Sequence, residues 1–187
     1  MAGIEFYTFE NELWAKYSDG RNEIVDESKT ELVHYILNNV RECYPEAYSA
    51  LERWYSNSSL NIKYYQYLMA RRFIMCNFAQ LDSTKIDVEN VTAAGKFNFE
   101  KVGCPLRGEC QYEGLVCCPK FNNKLSPAEY RVMEMVYKGR TKAEIATTLY
   151  NSPETIKNHI KSAYLKLGVH EKAEFIRYAN EHNLFKS

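Results

Sequence analysis

Residues 141–168 read TKAEIATTLYNSPETIKNHIKSAYLKLG, and their punctuation decides how the C-terminal third folds. Thr141 followed by Glu144 is a capping box, in which a hydroxyl and a carboxylate satisfy each other's free backbone N–H groups. It predicts a short helix from Lys142 to Leu149 that buries Ile145, Ala146 and Leu149. Asn151-Ser152 turns the chain and caps the next helix, with Pro153 and Glu154 in its first turn. That helix, 152–167, places Ile156, Ile160, Ala163 and Leu167 on one inner face, and Gly168 stops it. A short helix, a tight turn and a second helix apolar on one side is the helix-turn-helix plan. The outer face of the second helix carries Thr155, Lys157, Asn158 and Lys161, all hydrogen-bond donors. At 1.5 Å per residue the helix is about 24 Å long, enough to lie in a DNA major groove.

Working outward, Ser126, Pro127 and Glu129 form a second capping signal. It opens a helix with Val132, Met133, Val136 and Tyr137 on its buried side and Lys138-Gly139 at its end. A last helix runs from Glu171 to Glu181 with Ala173, Phe175, Ile176 and Ala179 available for packing. Residues 125–179 resemble the LuxR/GerE-type DNA-binding domain, most specifically in the EIA, S-x-x-T-I-K-x-H-I and K-L-G-V runs. The resemblance implies a four-helix domain whose third helix enters the major groove of double-stranded DNA and whose fourth helix, here around Phe175 and Ile176, mediates a homodimer. It also implies roles. Lys157, Asn158 and Lys161 fall at base-reading positions; Ser152, Thr155 and Thr141 fall where backbone phosphates are met. Ala128, Ala143 and Lys172 depart from the family's usual residues.

Upstream, four cysteines lie within 15 residues, Cys104, Cys110, Cys117 and Cys118, spaced C-x5-C-x6-C-C. Thiolates this close repel one another unless a cation holds them, and zinc suits four sulfurs in a tetrahedron. The expectation is a metal-binding hairpin holding a structural zinc; an iron–sulfur cluster and unligated thiols are the alternatives. Adjacent side chains on extended backbone point in different directions. Cys117 and Cys118 would then not both face the metal, and Cys76 on a preceding helix is the alternative fourth ligand.

The first hundred residues read mainly as helices. Residues 1–9 give a weak strand-like signal. Asp26-Glu27-Ser28 offers caps before Leu32, Val33, Ile36, Leu37 and Val40 at helical spacing, and Pro45 suits the first turn of a second helix. Asn57-Ser58-Ser59 breaks the pattern before a long helix, roughly Leu60 to Leu81, with Tyr64, Tyr67, Phe73, Ile74 and Phe78 as an aromatic core stripe. Arg71-Arg72 reads as a solvated face. After it, KFNFEKV (96–102) alternates as a short strand would.

Together these readings give an all-α protein with three parts. Residues 1–95 form a helical bundle for dimerisation or partner binding, 96–124 the cysteine-rich hairpin and linker, and 125–187 the helix-turn-helix domain. Net charge is zero over the chain, yet −5 over residues 1–100 and +3 over 125–187, so a polyanion would meet the C-terminal part. No phosphate-binding glycine motif, HExxH or GxSxG occurs, and no catalytic constellation is found, so an enzyme is not expected. Without an apolar run for a membrane span or a leader, the chain is expected in the cytoplasm with reduced thiols. The favoured function is a sequence-specific transcriptional regulator. A phage- or host-associated structural or interaction module, or a redox- or iron-sensing regulator, are the alternatives. The sequence names neither the operator nor an effector.

Overall fold

A period of two runs through residues 4–17, and it builds a sheet. In the computed structural model, which describes residues 3–78, 86–89, 96–182 and 184–185, β1 (Ile4–Phe9) and β2 (Glu12–Tyr17) form an antiparallel hairpin. Ile4, Phe6, Leu13, Ala15 and Tyr17 are its buried side. The connection is Glu10-Asn11, at φ 51° and 65°. Two positive φ values in a two-residue loop match the twist of a hairpin, at a cost that glycine would avoid. β3 (Asn22–Ile24) pairs with β2, β4 (Val88–Glu89) with β1, and β5 (Lys96–Phe97) with β4, giving the order β3-β2-β1-β4-β5, antiparallel throughout.

The all-α expectation is therefore wrong for the N-terminal part. Its strands are short, Val88 of β4 lies more than eighty residues from Ile4, the residue it pairs with, and the Glu-Asn turn lacks the glycine that marks hairpins in sequence. The strand expected in KFNFEKV is present as β5.

Against the sheet pack α1 (Thr30–Cys43), α2 (Pro45–Trp54) and α3 (Ile62–Asn77). Pro45 opens α2 as expected. The cap expected at Asp26–Ser28 is used differently: Asp26 accepts from the Ser28 backbone N–H at 2.8 Å, and α1 begins later, after Lys29. The break between α2 and α3 is a 3₁₀ turn at Ser56–Ser58, with Asn61 capping α3. α3 ends at Asn77 rather than near Leu81; residues 79–81 lie outside the described residues. The aromatic core reading holds for Phe73, Ile74 and Phe78, but Tyr67 is half-buried and Tyr64 is exposed. Phe73 and Phe78 are fully buried, and Tyr44, Phe97, Phe99 and Phe121 gather round them with ring centroids 5.2–6.3 Å apart. Residues 98–126 contain neither helix nor strand. The expected hairpin is instead a string of turns, such as Cys110 N–H to Leu106 C=O (2.9 Å) and Val116 N–H to Tyr112 C=O (3.0 Å).

The chain divides into two compact units, residues 1–122 and 123–187. The second contains α4 (Pro127–Tyr137), α5 (Lys142–Thr148), α6 (Pro153–Leu167) and α7 (Lys172–Glu181), four helices within a residue or two of their expected bounds. Its core holds Met133, Ile145, Ile156, Ala163 and Phe175, all fully buried. Phe185 closes this core, 5.1 Å from the Tyr130 ring and 5.3 Å from that of Tyr137, and the Tyr130 hydroxyl donates to the Leu184 carbonyl at 3.0 Å.

The turn at Glu10-Asn11 yields a prediction. Replacing it with Asn-Gly (Glu10→Asn with Asn11→Gly) should stabilise the first unit by about 1 kcal/mol, because both residues then accept positive φ readily. Urea unfolding followed by tryptophan fluorescence, with Trp14 in β2, would show the midpoint rising; a fall would contradict the turn assignment.

Candidate nucleic-acid interface

The second unit is built on local signals that the structure realises. Ser126 Oγ accepts from the Glu129 N–H (3.2 Å) while Glu129 accepts from the Ser126 N–H (2.7 Å). Thr141 and Glu144 make the same reciprocal pair for α5, at 3.3 and 2.7 Å. Ser152 Oγ accepts from the Thr155 N–H at 3.1 Å and contacts the Thr155 hydroxyl at 2.8 Å. Gly139 and Gly168 end their helices in the left-handed region, at φ 83° and 67°.

Glu129 does more than cap. Its residue is only 4% exposed, and its carboxylate also accepts from Ser162 Oγ (2.7 Å) and Lys166 Nζ (2.6 Å), both on α6. Burial pushes this carboxyl's pKa up, but the bonds from Lys166, Ser162 and Ser126 together outweigh it and hold the group down at about 2. The start of α4 is thereby fixed to the middle and end of α6. The sequence shows Glu129 as a capping residue; nothing in it indicates that partners 33 and 37 positions later converge on the same carboxylate, one on each oxygen.

With its inner side set by Ile156, Ala163, Leu167 and these polar bonds, α6 turns Lys157, Asn158 and Lys161 to solvent, all three exposed. Ile160, expected inside, is half-buried. Lys157 Nζ lies 3.2 Å from the Glu154 carboxylate on the same helix. Thr141 and Ser152 are exposed and occupied as caps; Thr155 is half-buried. Between α5 and α6 stands Tyr150, 97% exposed at φ 51°. Neither its exposure nor its positive φ is signalled by the sequence.

Residues 123–179 match the family model for bacterial regulatory proteins of the luxR family. The spore germination protein GerE of Bacillus subtilis is 36% identical over 52 residues, 28% of this chain and 70% of GerE. The chain belongs to the luxR family. The transcriptional regulatory protein MctR of Rhizobium johnstonii is 32% identical over 97 residues, 52% of this chain and 42% of MctR. The chain thus spans under half the length of MctR. That alignment is longer than the second unit, so the likeness to MctR extends into residues 1–122. No solved structure matches. In luxR-family terms the second unit is the helix-turn-helix domain, with α5 and α6 as its two named helices.

Phe175 is fully buried in its own unit, its ring tilted against Tyr164 and edge-on to Phe185, so it is not free to anchor the dimer that the family resemblance implied there; Ile176 beside it is half-buried.

In the first unit the cysteines separate. Cys76, Cys104, Cys110 and Cys117 line one cavity; Cys118, which is exposed, and Cys43, which is half-buried, lie outside its lining. The Cys76 thiol is pushed up to about 11 by burial, against the pull of Arg72, with the other three thiols adding to the rise. Asn77 clamps this region. It is fully buried, its amide donates to the Phe73 and Val116 carbonyls (both 2.9 Å), and its oxygen accepts from the Cys118 N–H at 2.7 Å. Arg72 is no solvated side chain: it sits 4.6 Å over the Trp54 ring and donates to the Tyr55 hydroxyl at 2.9 Å. Among the described residues no group of three or more His, Cys, Asp or Glu side chains stands where it could hold a metal ion.

Glu129 gives the section's prediction. Its folded-state pKa lies below the unfolded value of 4.5, so its contribution, about 3 kcal/mol, is complete above that pH and is lost as pH falls toward 2. Hydrogen exchange of the α4 and α6 amides in the full chain should show protection declining across this window. In Glu129→Gln the protection should already be lower at neutral pH and should change far less between pH 5 and pH 2.

Proposed function

We propose that the chain is a sequence-specific DNA-binding transcription regulator, with α6 in the major groove. The observation that carries this reading is the exposed Lys157–Asn158–Lys161 face on a helix whose rotation is fixed by Glu129. Lys157 and Lys161 are one turn apart and project toward the same stretch of groove, while Asn158 is offset by about 100° and can present both a donor and an acceptor to an adenine edge. Thr141, Ser152 and Thr155 lie at the helix starts, where backbone N–H groups and hydroxyls meet phosphates. The luxR family and the similarity to MctR and GerE support the reading. It assigns the chain a regulatory role in the cytoplasm and no catalytic step. Among the described residues no helix is long and apolar enough to cross a membrane.

Residues 125–187 carry only +3, modest for gripping a polyanion, so useful affinity is proposed to need two copies. Their contact would use the outward side of α7, since Phe175 is committed to its own core.

The Lys157–Glu154 pair is exposed on both sides, so it contributes at most about 1 kcal/mol and can give way to DNA. Binding titrations on a site selected from random duplexes test the whole reading. Lys157→Ala with Lys161→Ala should weaken the best site by about 1–3 kcal/mol for each residue that reads a base. Asn158→Ala should relax sequence preference more than it lowers affinity, and Glu154→Gln should tighten binding by removing a negative charge beside the groove. Unchanged specific affinity in a folded double variant would mean that α6 is not the reader.

A further inference from the structure

Four cysteines from two distant stretches of chain line one cavity of about 350 Å³. Cys76 comes from the last turn of α3, and Cys104, Cys110 and Cys117 come from the turns that follow β5. The arrangement is held by contacts in and around the cavity wall. Asn77 ties the residues on either side of Cys117 to the end of α3, through Val116 C=O and Cys118 N–H. The Tyr112 ring, two residues after Cys110, stacks on Trp54 with centroids 4.0 Å apart. Cys118 has φ 49°, a bend that leaves it exposed and outside the cavity.

The four cysteines line a volume and are not grouped round one point. A tetrahedral zinc with Zn–S bonds of about 2.3 Å needs four sulfurs within about 3.8 Å of one another. Among the described residues no three such side chains are grouped to hold a metal ion. A cluster of iron and sulfide is itself a body with volume, and each cysteine binds a separate corner of it. With four thiolates such a cluster is an anion, and the cavity wall supplies a cation and cover: Arg72, and the apolar faces of Trp54 and Val116; Arg107 also lines it but is paired with Glu113 at 3.4 Å. Arg72 is fixed there by Tyr55 and Trp54.

We infer that Cys76, Cys104, Cys110 and Cys117 bind a [4Fe–4S] cluster. This ligand set exchanges Cys118 for Cys76 and an iron–sulfur cluster for a single zinc. It lies wholly within residues 1–122 and is independent of the DNA-binding reading.

The test uses the full chain, purified without oxygen and reconstituted with equal amounts of ferrous and ferric iron and with sulfide, the ratio the cluster's brown resting state contains. The expected product is brown, bleaches on reduction, and holds about four irons and four acid-labile sulfides per chain. Cys76→Ser, Cys104→Ser, Cys110→Ser and Cys117→Ser should each lose most of the iron and colour, while Cys118→Ser and Cys43→Ser keep both. Circular dichroism of each variant separates loss of ligand from loss of fold, and the stoichiometry of the unaltered chain stands whatever the variants do. Binding of one zinc in place of iron, no iron uptake by the folded chain, or loss of the cluster in Cys118→Ser but not in Cys76→Ser would each overturn the inference.

Discussion

A carboxylate taken out of water is costly unless donors replace the water it loses. Glu129 is 4% exposed, and its replacement donors are the Ser126 backbone, the Ser162 hydroxyl and the Lys166 ammonium. Moving α6 against α4 by even part of a turn would strip donors from a buried charge. The apolar residues of α6 define which side faces inward, but apolar packing is non-directional and tolerates small rotations. The charged bonds do not, because their geometry is short and directed. The direction in which Lys157, Asn158 and Lys161 project is thus set from the opposite side of the helix.

The first unit meets a related difficulty with a neutral group. Residues 98–126 have no ladder or helix to satisfy their backbone, and a loop that long needs fixed points. Asn77 supplies one by standing in for a strand partner, accepting from one loop amide and donating to one loop carbonyl. The Glu100 N–H bonds the Asn77 carbonyl at 2.8 Å, and the Asn122 N–H bonds the Cys43 carbonyl at 2.7 Å, so the loop is anchored near both ends to helix termini. Three sequence-distant cysteines can then share a wall with Cys76 without a core of their own.

What could be read in advance follows from how far apart the determining residues lie. Ser126 with Glu129, Thr141 with Glu144, and Ser152 with Thr155 act across three positions, and every helix of the second unit was legible from such pairs and from apolar spacing. The sheet depends on Ile4 meeting Val88 and on Phe6 N–H finding the buried Asp87 carboxylate at 2.6 Å, pairings that leave no local mark. Asp26 looked like a helix cap because its type suits that role; its carboxylate was taken by Ser28 instead. Alternation at Cys117-Cys118 showed that one thiol would turn away, but which one depended on Asn77, forty-one positions from Cys118. Arg72 looked solvated because Trp54, its partner, sits on another helix.

The segment that matches the luxR family ends at residue 179, but the unit's core does not. Leu184 gives its carbonyl to Tyr130, its N–H bonds the Ala179 carbonyl at 2.9 Å, and Phe185 covers Tyr130, Tyr137 and Phe175. A fragment trimmed to the family boundary would lose this plug and uncover three aromatic faces. Such a fragment would be a sticky, weakened version of the domain, and its poor behaviour would say nothing about the intact chain. Leu184 and Phe185 are therefore part of the fold's working definition, although they lie beyond the region by which the family is recognised.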